Sequence, residues 1–246
     1  MAAPYRTTGL VLGRSNFGEA DRIITFLTPD HGKLKLVARG VRKIKSRLGG
    51  HLEPFGFVEL MCAPGRGQLD VITSAQLQSY YPQLTEDYGR LARAHMVAQL
   101  LSGLATEGQP QPEVYRLAHE VYAALATTDQ LSLLELYVKL RLLDIIGYRP
   151  ELASCSICGQ SDAATTYRLN PERGGLTCIS CGLGGTNIDN GAIKLWRLLL
   201  DRSFTTVSAV AGVSQAAEGS LAACDDFYGY HFGRAFRPTL TLEPSA

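Results

Sequence analysis

No run of apolar residues in this 246-residue chain approaches the ~18 needed to span a bilayer, and no secretory leader follows Met1. These absences set the expectation of a soluble protein in a reducing cytoplasm. The signatures of common catalytic sites are missing too. Gly182-Leu183-Gly184-Gly185 lacks the Lys-Ser/Thr that would make it a phosphate loop, and no H-E-x-x-H or nucleophile elbow occurs. The acidic residues of the first eighty positions (Glu19, Asp21, Asp30, Glu53, Glu59, Asp70) form no paired motif of the kind that holds metal ions for phosphodiester cleavage. The chain is therefore not expected to be an enzyme. Histidine is absent between positions 120 and 230, so any metal site there is built without it. No internal repeat or low-complexity block is found.

Cysteine is scarce, with six residues, yet four are tightly patterned. Cys155-Ser156-Ile157-Cys158 and Cys178-Ile179-Ser180-Cys181 form two C-x2-C pairs, separated by nineteen residues. Each pair can aim two thiolates at one centre, and two pairs supply the four sulfurs of a tetrahedral zinc site. Gly159 and Gly182 follow the pairs, where a left-handed backbone would turn amides toward the sulfurs. Two disulfides would need an oxidising compartment. A redox pair would need one C-x2-C at a helix start rather than two matched ones. Four sulfur ligands leave no open position, so one structural Zn2+ is expected. Cys62 and Cys224 lie in apolar stretches and read as buried thiols.

The net charge is only +1, but its distribution is uneven. Residues 1–80 hold 11 Lys/Arg against 6 Asp/Glu, and the remainder holds 13 against 17. A basic first third suggests a polyanion-facing domain. Five short strands are predicted there: Tyr5–Gly13, Asp21–Thr28, Lys33–Arg39, Phe55–Cys62 and Gln68–Gln76, with turns such as Pro64-Gly65-Arg66-Gly67 between them. An OB-like barrel fits, and an SH3-like barrel would give much the same pattern. In the third strand Leu34, Leu36 and Ala38 alternate with Lys33, Lys35 and Arg39. Arg42, Lys43, Lys45 and Arg47 continue the positive run into a loop, and no acidic residue occurs between Asp30 and Glu53. These seven residues are the candidate phosphate-binding surface. Phe17 and Phe26 are the aromatics at hand, and Phe26 reads as core, so no clear platform for stacked bases is evident.

From residue 83 the apolar period changes from two to 3.6. Helices are predicted over Glu86–Thr106, from Pro112, over Leu131–Ile146, through Ile193–Leu200 and over Ala216–Phe236. Leu131–Ile146 is apolar on most sides, with Glu135 and Lys139 able to pair at i, i+4, so neighbours must bury it. Gly147 and Pro150 end it, and Asp189 or Asn190 can cap the next helix. His95 and His119 read as boundary residues rather than ligands. The expected fold is α+β: an N-terminal OB-like five-stranded barrel, then an α-helical bundle carrying a four-cysteine zinc insertion. Boundaries are expected at 1–80, 81–154, 155–187 and 188–246.

Two stretches resemble the bacterial recombination mediator family RecO. Gly18-Glu19-Ala20-Asp21, Ile23-Ile24-Thr25-Phe26-Leu27-Thr28, His31-Gly32-Lys33 and Val37-Ala38-Arg39-Gly40-Val41-Arg42 look like its first-domain signature. Leu140–Pro150 followed by Cys155-x2-Cys158-Gly159 looks like its second, while Phe236-Arg237-Pro238-Thr239 departs from the family's usual tail. The resemblance implies binding of single- and double-stranded DNA, annealing of complementary strands, and a nucleoid-associated cytoplasmic location. It implies two partners, RecR and the C-terminal tail of single-stranded DNA-binding protein, and recombinase loading onto coated DNA. It assigns DNA contact to Lys33, Lys35, Arg39, Arg42, Lys43, Lys45 and Arg47, and metal binding to Cys155, Cys158, Cys178 and Cys181. Arg90, Arg93 and Arg141 could meet an acidic tail. An RNA-binding or transcription adaptor with a zinc module is the alternative, since an OB-like face accepts either nucleic acid.

Overall fold

A computed structural model describes residues 3–65, 67–161, 166–182, 184–233 and 236–237. Arg66 and the tail from Pro238 lie outside the described residues. Compactness divides the chain after Ala126.

The N-terminal unit is built on five strands: β1 (Tyr5–Phe17), β2 (Asp21–Thr28), β3 (Gly32–Ala38), β4 (Phe57–Ala63) and β5 (Asp70–Ser79). They close into an OB-like barrel in the order β1-β2-β3-β5-β4, with β3 and β5 parallel. One long strand makes the closure possible. The first half of β1 pairs with β4 and the second half with β2, and the register shifts between Val11 and Gly13 where the strand turns from one to the other. Period-two alternation then points Val11, Ile24, Phe26, Leu36, Ala38, Val58, Leu60, Cys62 and Ile72 inward. Phe26 and Cys62 are fully buried, as the sequence suggests.

Three helices complete this unit: α1 (Gln83–Glu86), α2 (Tyr88–Leu104) and α3 (Pro112–Thr127). Asp87 caps α2 by accepting the Arg90 backbone amide at 2.8 Å. An aromatic seam joins helices to barrel. His119 stacks on Phe57, His95 meets Phe55 edge-on with centroids 5.0 Å apart, and Tyr122 packs against both phenylalanines. Burial lowers the pKa of both histidines, so they serve as neutral aromatic packing.

The second unit opens with α4 (Leu131–Ile145), buried along nearly its whole length. It ends in a Schellman motif. The Tyr148 amide donates to the Leu143 carbonyl and the Gly147 amide to that of Asp144, with Gly147 at φ 84°. Strands β6 (Tyr167–Asn170), β7 (Gly175–Cys178) and β8 (Thr186–Ile188) form a small sheet in the order β7-β6-β8. Helices α5 (Asn190–Asp201), α6 (Phe204–Ser208) and α7 (Val213–Phe232) follow. Asp189 caps α5. The last helix starts and ends earlier than Ala216–Phe236, because Gly212 and Gly233 at positive φ bracket it.

The expected Glu135–Lys139 pair is present and buried, and it gains a second carboxylate. Lys139 is fully buried, and its Nζ lies 2.8 Å from Glu135 Oε1 and 2.7 Å from Asp225 Oδ1 on α7. Arg237 caps the group through the other Asp225 oxygen at 2.9 Å. The Tyr228 hydroxyl donates to the Lys139 carbonyl. Burial disfavours the ammonium, but the two carboxylates outweigh it and raise the Lys139 pKa. Among the described residues no helix is long and apolar enough to cross a membrane.

Candidate nucleic-acid interface and metal centre

The seven basic residues do not share one environment. Lys33 is half-buried, and its Nζ donates to the Ser102 carbonyl of α2 at 3.0 Å. Lys35 is exposed but pairs with Glu107 at 3.1 Å, and that contact holds the Glu107 carboxyl below its usual range. The α2–α3 loop makes both contacts possible. It lies along the β2–β3 turn, with the Gly108 amide on the His31 carbonyl and the Lys33 amide on that of Thr106. Arg39, Arg42, Lys43, Lys45 and Arg47 are exposed beyond the end of β3. None of the five forms an ion pair among the described residues. Arg42 anchors the loop base through its backbone amide to Ala20 and its side chain to Gly18. A turn held by Lys43-to-Gly40 and Ser46-to-Lys43 amide bonds presents the others, with Ile44 fully exposed between Lys43 and Lys45.

At this end of the barrel Arg22 was not singled out from sequence, and Phe17 was noted only as an aromatic at hand. Arg22 on β2 sits opposite Ala38. Burial lowers its pKa, and the nearby guanidiniums of Arg14 and Arg42 lower it further, which marks a local excess of positive charge. Phe17, at the end of β1, is 50% exposed. A lone phenylalanine before a glycine turn carries no sequence signal, because its exposure depends on where the barrel closes.

The four cysteines converge. Their sulfur atoms all lie within 4.8 Å of one another, and Cys158 and Cys178 are 3.8 Å apart. A tetrahedron with metal–sulfur bonds of ~2.3 Å has edges of about 3.8 Å, so the set could hold a metal ion. No disulfide forms. Local backbone bonds build the cage. The Gly159 amide returns to the Cys155 carbonyl, the Cys178 amide donates to the Cys155 sulfur at 3.3 Å, and the Cys181 amide returns to the Cys178 carbonyl. Gly159 takes φ 73° as the motif requires, but Gly182 does not adopt a positive φ. The second turn closes through the Cys178–Cys181 bond without it. Burial alone would raise the Cys155 thiol, but amide hydrogen bonds from Cys158, Cys178 and Ile157 outweigh this and lower it. Hydrogen bonds to Cys158 and Cys178 push Cys181 the other way.

The three arginines considered for an acidic tail are engaged locally. Arg90 donates to the Leu125 carbonyl, Arg93 to that of Gly89, and Arg141 to that of Leu200 while lying 3.6 Å from Asp144.

A closed OB-like barrel with a basic rim, followed by a helical unit that carries a four-thiol centre, defines a narrow class of two-part proteins. Comparison with known families resolves which one. Residues 1–81 match the model of the recombination protein O N terminal and residues 85–240 that of its C terminal. The chain is 34% identical over 249 residues to the DNA repair protein RecO of Cutibacterium acnes, covering 97% of this chain and 98% of that protein. It is 32% identical to that of Dehalococcoides mccartyi, covering 82% and 81%, and 40% identical to that of Bifidobacterium adolescentis, covering 72% and 73%. The chain belongs to the RecO family.

Proposed function

We propose that this protein is a DNA repair and recombination mediator, not an enzyme. It binds single- and double-stranded DNA, anneals complementary strands and, with RecR, helps load recombinase onto DNA coated by single-stranded DNA-binding protein, whose C-terminal tail it engages. Residues 1–80 supply the DNA-binding domain, and the protein works in the cytoplasm at the nucleoid. The observation that carries this reading is the run of exposed cations from Arg39 to Arg47, free of ion pairs among the described residues, on the barrel of a RecO-family chain. Lys33 and Lys35 complete the surface with less strength, since Ser102 and Glu107 compete for them. Such cations position a phosphate backbone without reading sequence. The four cysteines hold one structural Zn2+, which braces the sheet of the second unit and takes no part in contacting DNA.

Annealing by charge screening consumes no fuel, because neutralising two backbones removes their repulsion. Complementary oligonucleotides mixed with the protein should therefore anneal at the same rate with or without a nucleoside triphosphate. An annealing rate that collapses when ATP is withheld would contradict the mechanism. Competition by RNA and DNA strands of one sequence tests the substrate. Stronger competition by RNA would favour a zinc-containing RNA-binding or transcription adaptor instead.

A further inference from the structure

A cleft of about 390 Å³ opens beside the basic loop, where the β1–β2 turn, the end of β3 and the β4–β5 loop meet. Phe17, Val37, Leu69 and Val71 give it apolar walls, Arg39 stands at it, and the Asp21 carboxylate joins the lining. Phe17 is half-exposed, which leaves aromatic surface available inside a recess flanked by cations. Asp21 accepts the Gly40 amide at 2.7 Å through one oxygen, and the other has no partner among the described residues. A carboxylate repels phosphate, so this recess does not suit a backbone group. An apolar aromatic wall with one hydrogen-bond acceptor suits a nucleobase.

We propose that this cleft holds one unpaired base of single-stranded DNA, stacked on Phe17, with its phosphate on Arg39. The inference rests on the reading of the barrel rim as a DNA surface, and it adds a means of telling single strands from duplex. Paired bases are already stacked within the helix and cannot enter. Exposed cations alone would bind both forms, whereas a stacking site favours the single strand. The site was hidden in the sequence because Phe17, Arg39 and Leu69 come from three separate segments that only barrel closure brings together.

Three fluorescently labelled probes of equal length test it: a single strand, an abasic strand with the same phosphates, and a duplex. The full chain should bind the abasic strand about tenfold more weakly than the strand with bases. Phe17→Ala should weaken binding to the base-bearing strand about tenfold and leave the other two unchanged, and Phe17→Tyr should restore it. Equal affinity of the unsubstituted chain for the two single strands would overturn the proposal without reference to any variant. So would Phe17→Ala leaving the base-bearing strand within twofold, or weakening all three probes alike. Each of those results leaves the rim reading intact, provided that charge reversal at Arg39 and Lys43 still weakens all three.

Discussion

Stripping zinc from the chain with a strong chelator should lower the melting temperature of the second unit by about 10 °C or more, and Cys158→Ser should do the same without chelator. The three strands around the cysteines are four, four and three residues long, too short to pay the entropy of ordering their loops by packing alone. A metal bound in the cage is expected to supply the missing stabilisation. Metal binding needs deprotonated thiols, so acid should weaken the site and release zinc. Metal content of about one zinc per chain, measured by atomic emission on freshly purified protein, checks the occupancy. A chain that melts identically with and without chelator would remove the structural role.

Lys139→Met should cost about 3–5 kcal/mol of stability, because it strands two carboxylates in the core of the second unit. Glu135 and Asp225 are both buried, and Asp225 also pairs with Arg237. The loss should be smaller when Glu135→Gln and Asp225→Asn accompany it, since neutral amides tolerate the missing charge. Denaturant titration of the single and triple variants measures both. The native pKa of Lys139 is raised, so its contribution is complete below the unfolded value and fades only as pH climbs through the higher native one. The deficit of the variant should therefore be flat between about pH 6 and 9. A deficit below 1 kcal/mol, or one that vanishes in mild acid, would show that the triad is not the tie between α4 and α7.

Much of this was legible because it is local. Alternation in Lys33–Arg39 marks a strand with a charged face, and the paired C-x2-C spacing marks a thiol cage. Gly147 after an apolar helix marks its end. What was not legible depends on distant partners. Lys139 read as the partner of Glu135 alone because its second carboxylate lies 86 residues away on α7. Lys33 and Lys35 read as members of an even stripe because the loop that carries Glu107 follows four elements later, after α2. The ring contacts that seat α3 against the barrel, His119 on Phe57 and Tyr122 on Phe55, were not legible either. A histidine on an amphipathic helix does not announce an aromatic partner in a strand. Strands β6 to β8 were missed because three or four residues are too few to display a period.

The claim that DNA lies along the rim through phosphate contacts is tested most directly by affinity against salt, for the unchanged chain and for Arg39→Glu with Lys43→Glu. With about four phosphates engaged, log affinity should fall against log salt with a slope of about −3. The double reversal should weaken single strands and duplex alike by well over tenfold and flatten that slope, while leaving the melting temperature unchanged because neither side chain is buried. Affinity held within a factor of two, with the slope intact, would contradict the account and place the DNA elsewhere on the molecule.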